Sequence, residues 1–224
     1  MWHSLTGSTD LFDETSPASS SAIEVLEPGA MILRRWACKS APTVLELLQD
    51  IWAQAPLRQM QTPGGKTLSA QMSNCGTWGW VSDRRGYRYE AEDPLTKKPW
   101  PPLPKLFAEL ATKAAAQAGY PEFHPDACLI NIYAPGAKMG LHQDRDEEDF
   151  QAPIVSFSFG LPATFLWGGK KRTDPTQKIL LTHGDVLIWG AETRLHYHGI
   201  APVKAGEHPL VGEKRINLTF RKAH

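Results

Sequence analysis

Cysteine is scarce in this chain of 224 residues: Cys38, Cys75 and Cys128 are its only three, and they lie far apart in sequence. An odd number with no close pair argues against a disulfide framework and against a cysteine-built metal cluster, so structural thiols are expected. No run of about 18 apolar residues occurs, and the first residues lack a basic segment followed by an apolar one. Neither a membrane span nor a secretory signal is therefore indicated, and the cytoplasm is the expected location. Also missing are a repeat of about 20 to 50 residues, a coiled-coil heptad pattern, and the Gly-x-x-x-x-Gly-Lys loop that cradles phosphates. Nor is there an excess of either charge, because 24 Lys and Arg balance 24 Asp and Glu.

That balance conceals a segregation. Residues 1–30 hold five acids and no Lys or Arg, and five more acids fall in the six residues from Asp144 to Asp149. The remainder is basic. Lys170, Lys171 and Arg172, with Arg84, Arg85 and Arg88, are candidate phosphate contacts, although each taken singly is equally well explained as a solvated surface charge. With 42% apolar and 21% charged residues the chain suits a soluble globular fold with one sizeable core.

Chemistry concentrates in three places. The first is His142-Gln143-Asp144 with His198 far downstream. Imidazole and carboxylate two residues apart can meet one cation from a strand end and its following turn. A distant histidine then completes one face of an octahedron and leaves the other positions open for a co-substrate and dioxygen. With eight histidines in the chain, His-x-Asp alone is a weak signal, and on spacing His196 could replace His198. The second is RINLTFR, residues 215–221. On a strand Arg215, Asn217, Thr219 and Arg221 share one face, opposite Ile216, Leu218 and Phe220. Such a polar row can bind a dicarboxylate through forked guanidinium donors, or it can be an edge strand whose arginines face water. The third is ACLINIY, in which Asn131 and Tyr133 share a strand face with Ala127 and Leu129.

In chain order, residues 1–21 read as a Ser/Thr-rich flexible tail, followed by a turn at Glu27-Pro28-Gly29 and a strand from Ala30 to about Trp36. Apolar spacing predicts a helix from Pro42 to about Ala53 packed on a sheet, and a second from about Leu103 that ends at Gly119. Between them, residues 56–100 are polar, Gly-rich and aromatic, with short strands at most. Trp78, Trp80, Tyr87 and Tyr89 interleave there with Arg84, Arg85 and Arg88, as in a covering loop that offers stacking surfaces, or as in a small satellite core. Strands are expected at about 127–133, 153–159, 163–167, 178–182, 185–190, 195–200 and 215–221, with Pro153 confining its strand's start to an edge or terminal position. Strands after helices predict a mostly β fold of two facing sheets with supporting helices. His3 and His224 are expected to be solvated.

PDACLINIYAPGAK, LHQDRDE, LLTHGDVLIWG, the His-Gly-Ile at residues 198–200 and RINLTFR occur here in an order that resembles the AlkB-type iron(II)- and 2-oxoglutarate-dependent nucleic-acid dealkylases, over roughly residues 22–222. The resemblance implies a double-stranded β-helix, or jelly roll, as one catalytic domain over 22–224, with residues 56–100 as a nucleotide-recognition lid. It implies Fe(II) held by the catalytic residues His142, Asp144 and His198, which favours His198 over His196. It also implies 2-oxoglutarate held by Asn131, Tyr133, Arg215, Asn217 and Arg221, with O2 as second co-substrate and Arg215 on the distal carboxylate. Met72, Trp80 and Tyr87 match substrate-contacting positions, with Trp80 and His142 sandwiching the base, Asp146 as the closer base-recognition residue, Glu147 beside it and Arg172 near the phosphates. Glu147 reads equally well as a solvated member of the acidic run. The expected reaction is oxidative demethylation of 1-methyladenine and 3-methylcytosine with release of formaldehyde, succinate and carbon dioxide. Expected partners are alkylated single-stranded DNA, damaged duplex DNA and RNA, with the protein a monomer. An iron- and 2-oxoglutarate-dependent hydroxylase of a protein or small molecule is the alternative reading.

Overall fold

A computed structural model describes residues 22–224, so the expected tail at 1–21 lies outside the described residues. In chain order it contains β1 (Ile23–Glu27), β2 (Ala30–Leu33), α1 (Ala41–Gln54), β3 (Gln71–Gly76), β4 (Gly79–Asp83), β5 (Gly86–Glu90) and α2 (Lys105–Gln117). There follow β6 (Ala127–Tyr133), β7 (Met139–His142), β8 (Ile154–Gly160), β9 (Ala163–Trp167), β10 (Gln177–Leu181), β11 (Val186–Trp189), β12 (His198–Ile200) and β13 (Arg215–Arg221). Seven strands form one sheet in the order β1-β2-β11-β8-β13-β6-β3, four form a second in the order β10-β9-β12-β7, and β4 and β5 make a separate hairpin. The two sheets are those expected from the strand spacing, and they form the jelly roll that the resemblance implies.

Period-two alternation decides what each layer buries. On β6 and β13, Cys128, Ile130, Ile132, Ile216, Leu218 and Phe220 face a core shared with Val44, Leu48 and Ile51 of α1 and Phe107, Ala111 and Ala114 of α2. Their alternates, Leu129 and Tyr133 among them, face the second sheet and pack with Met72, Phe165, Trp167, Leu187 and Trp189. Each large apolar side chain buried this way contributes about 1.5 to 3 kcal/mol. Pro42 sits in the first turn of α1, where its missing N–H costs no helical hydrogen bond. Both helices thus back the large sheet and leave its other face to the cavity.

Some boundaries move. β2 stops at Leu33 because Arg35 takes a left-handed turn with φ 55°. Pro153 stands just outside β8, which lets that strand run through the interior of the large sheet between β11 and β13. The expected strand at 195–200 shrinks to His198–Ile200. Residues 56–100 hold three short strands of five or six residues, within what was expected there. Cys75 and Cys128, distant in sequence, are direct cross-strand partners on β3 and β6.

Candidate metal centre and its cavity

β12 pairs with β7 so that His198 lies opposite His142. Gly199 makes the approach possible, since a Cβ there would meet the Met139 carbonyl oxygen at 2.7 Å. Asp144 follows two residues beyond β7, and one ligand atom from each of His142, Asp144 and His198 falls within 4.8 Å of the others. The Nδ1 of His142 lies 2.9 Å from the Gly140 carbonyl, and the Nδ1 of His198 lies 3.0 Å from the His196 carbonyl. A carbonyl only accepts, so each ring donates from Nδ1 and turns its Nε2, the nitrogen that would ligate a cation once it carries no proton, toward Asp144. Those Nε2 atoms lie 3.5 Å and 3.8 Å from the two Asp144 oxygens.

Electrostatics prepare the same three groups. Burial raises the Asp144 carboxyl, but Arg221 and the two histidines outweigh it and hold the group well below the usual carboxylate range. Burial, helped by His142, pushes His198 down to about 4, so its ring is neutral at physiological pH. Burial also lowers His142, yet the hydrogen bond and charge of Asp144 win and leave it above its ordinary value. Two neutral-capable imidazoles and one fixed carboxylate form a facial donor set with N and O atoms suited to iron(II). His196 stands outside this cluster, with its Nδ1 3.4 Å from Glu27 and its ring packed on Trp167.

The triad lies in a cavity of about 770 Å³ lined also by Asn131, Tyr133, Arg215, Asn217, Thr219 and Arg221. Antiparallel register sets Arg215 opposite Tyr133 and Asn217 opposite Asn131 on β6, and Asn217 opposite Ser158 on β8. Arg215 is 1% exposed, donates from Nη2 to Ser158 Oγ at 3.0 Å, and leaves Nε and Nη1 without a partner. Asn131 Oδ1 is unpartnered as well. Burial lowers the Arg215 guanidinium below its ordinary value without any acid beside it. Buried, unmatched donors of this kind fit an anionic ligand, and the planar fork fits a carboxylate. Arg221 is different, since its Nε and Nη2 both donate to Asp144 Oδ2, at 3.0 Å and 2.6 Å.

The family model for the 2OG-Fe(II) oxygenase superfamily matches residues 29–221. Alpha-ketoglutarate-dependent dioxygenase AlkB of Salmonella typhimurium is 56% identical over 214 residues, 96% of this chain and 97% of that protein. This chain belongs to the AlkB family of iron(II)- and 2-oxoglutarate-dependent dioxygenases. The AlkB of Escherichia coli is also 56% identical, over the same shares of the two chains. A solved structure of OsALKBH1 superposes with TM-score 0.78 at 28% identity, covering 90% of this chain and all of that one. Fe(II) and 2-oxoglutarate are the cofactor and co-substrate of this AlkB-type chain. Among its described residues no helix is long and apolar enough to cross a membrane.

At the mouth of the AlkB-type cavity, Trp80 of β4 and Tyr87 of β5 stack with ring centroids 5.6 Å apart, and Trp80 Nε1 donates to Asp146 at 2.8 Å. Met72 lines the wall, and Arg172 lies over the Tyr197 ring while donating to the Leu141 carbonyl at 2.6 Å. Two expectations need correction. Glu147 reaches the cavity wall but is 5% exposed, and its oxygens bind Tyr89, Arg194 and Arg221, so it is not a solvated member of the acidic run. Arg88 is paired with Asp83 and Glu90 inside the hairpin and is not a free phosphate contact. His224 stays at the surface, but its ring packs on Trp78 and its Nδ1 lies 3.0 Å from Glu148. Ser156, Ser158, Trp189 and Arg194 were missed. The alternation of IVSFSFG would have found the two serines, whereas nothing in the sequence near Arg194 marks it.

Proposed function

We propose that the chain repairs alkylated nucleic acid by oxidative demethylation of 1-methyladenine and 3-methylcytosine, releasing formaldehyde while 2-oxoglutarate becomes succinate and carbon dioxide. The observation that carries this reading is the Trp80–Tyr87 aromatic pair held over the mouth of the cavity that contains the triad. Residues 56–100 then act as a nucleotide-recognition lid on a catalytic domain spanning 22–224. A relative supports a methylated nucleobase as the class of substrate: an Arabidopsis thaliana protein named DNA N(6)-methyladenine demethylase ALKBH1D is 42% identical over 45% of this chain, although the match spans only 25% of that protein.

His142, Asp144 and His198 would hold the iron, which supplies the oxidising chemistry together with 2-oxoglutarate and O2. Arg215 receives the distal carboxylate of 2-oxoglutarate with its two free nitrogens, and Asn131, Tyr133, Asn217 and Arg221 complete that pocket. Trp80 and His142 sandwich the extruded base, while Met72 and Tyr87 border it. Asp146, exposed beside Trp80, favours the positive charge that both methylated bases carry, and Arg172 meets the adjoining phosphates. A base must leave its stack to enter, so single strands and damaged pairs are preferred. Three unpaired thiols suit a reducing compartment, which supports a cytoplasmic location.

The test is mass spectrometry of a single-stranded oligonucleotide bearing 1-methyladenine or 3-methylcytosine, incubated with protein, ferrous iron, ascorbate and 2-oxoglutarate. The expected result is loss of one methyl group with stoichiometric succinate. Succinate formation without demethylation of either base would transfer the chain to the hydroxylases of proteins or small molecules.

A further inference from the structure

Asp144 belongs to a closed set of buried charges, two of which, Glu147 and Arg194, have no part in iron ligation. Asp144, Glu147, Arg194 and Arg221 are each no more than 8% exposed. Arg194 spends all three nitrogens there: Nη1 donates to the Asp144 backbone carbonyl at 2.7 Å, Nη2 to Glu147 Oε2 at 3.0 Å, and Nε to the Ala152 carbonyl at 3.1 Å. Glu147 Oε1 is 3.2 Å from Arg221 Nε and accepts the Tyr89 hydroxyl at 2.7 Å. Asp144 is therefore gripped twice, at its carboxylate by Arg221 and at its backbone by Arg194, and Glu147 holds both arginines. Tyr89 closes the set from the hairpin, where it is the direct cross-strand partner of Trp80.

We infer that Glu147, Arg194 and Tyr89 are positioning residues that fix the Asp144 carboxylate for metal binding, and that Glu147 does not contact the base. Four buried charges are expensive to gather, and they are tolerated only when each is paired and hydrogen-bonded, as here. Their fixed geometry is what a metal site needs, because groups that orient a ligand govern affinity nearly as strongly as the ligand itself. Glu147 has no oxygen left free of a partner. Asp146, one residue earlier, is the acid that opens to the mouth.

The inference rests on Asp144 being a metal ligand, so the experiment includes that control. Cobalt(II) chloride is titrated into metal-free protein, without nucleic acid, and followed by the visible ligand-field spectrum. Asp144→Ala should abolish the spectrum of the wild-type site. Glu147→Gln and Arg194→Lys should weaken cobalt binding by about 10- to 100-fold and alter the band shape. Tyr89→Phe, which keeps the ring and its packing, should weaken it several-fold. Affinity of the metal-free Glu147→Gln protein for a 1-methyladenine oligonucleotide should stay within about twofold of wild type. Wild-type cobalt affinity and spectrum in folded Glu147→Gln and Tyr89→Phe proteins would overturn the inference, as would a loss confined to oligonucleotide binding. Unchanged cobalt binding by Asp144→Ala would instead remove the ligand assignment on which it stands.

Discussion

Arg215 is a buried cation whose Nε and Nη1 have no protein partner, with only Ser158 and the Tyr133 face beside it. An unmatched buried charge costs stability until its ligand arrives, so the same residue should oppose folding and favour binding. Arg215→Met should raise the thermal midpoint of the protein measured without 2-oxoglutarate, because the apolar chain fills the space without the charge. The same change should raise the 2-oxoglutarate concentration for half-maximal succinate formation by about 10-fold or more, the loss of a charge-assisted hydrogen bond of about 1.5 to 3 kcal/mol. A fall in the midpoint would mean that Ser158 and Tyr133 already satisfy the guanidinium. Trp80 offers a cleaner separation of functions. Trp80→Ala should lose about 1 to 3 kcal/mol of base stacking, seen as several-fold to about a hundredfold weaker binding of a methylated oligonucleotide. Its 2-oxoglutarate requirement should match wild type, and equal oligonucleotide affinities would end the stacking role. Both residues were legible in the sequence, one from a polar row on an apolar strand and the other from resemblance. Arg194 was not, because its partners Asp144, Glu147 and Ala152 lie 42 to 50 positions away and meet it only after the strands pair.

Among the elements, period-two patterns transferred well. β6, β9 and β13 fall at the expected residues: β6 and β13 alternate between the helix-backed core and the cavity, and β9 alternates between the space between the sheets and a half-exposed outer face. β1, β5 and β7 were harder to see: each has four or five residues and none of those residues is fully buried, so pairing rather than local preference stabilises them. The junction of β8 with β11 carries a pH-sensitive link that no pattern revealed. His183 Nδ1 accepts the Gly160 N–H at 3.1 Å, and the ring stacks on His208 with centroids 4.2 Å apart. Burial first, then the charges of His208 and Arg35, push His183 below its ordinary value against the opposing pull of Asp185. Because the folded-state pKa is depressed, the unfolded chain takes up the proton first. The link is intact above the ordinary histidine value of about 6.5 and is lost as pH falls from there through the lower folded value. The urea midpoint of the wild-type protein should therefore drop between about pH 7 and pH 5 more steeply than that of His183→Gln. Parallel slopes would show that this histidine does not contribute.

At the scale of the whole molecule the jelly roll divides labour between its sheets. The large sheet, backed by α1 and α2, supplies the row from Asn131 to Arg221, and the small sheet brings His142 and His198 together at β7 and β12. Ligands bound between the sheets join layers that share few covalent neighbours, so occupancy of the site should stabilise the entire fold. Binding to the folded state alone adds RT ln(1 + [L]/Kd), about 2.7 kcal/mol at a hundredfold excess over Kd. In a domain of this size that corresponds to a rise of about 5 to 10 °C in the thermal midpoint. Manganese(II), which occupies N/O sites without oxygen chemistry, is the appropriate probe together with 2-oxoglutarate. The wild-type protein should gain most with both present, because the triad and Arg215 hold opposite ends of one ligand set. Asp144→Ala should lose the manganese increment, whereas Arg215→Met should keep the manganese increment and lose only the part added by 2-oxoglutarate. Should Asp144→Ala respond to manganese as wild type does, the metal is held elsewhere. Should Arg215→Met respond fully to 2-oxoglutarate, the row on β13 is structural and the co-substrate takes its anchor from another part of the cavity.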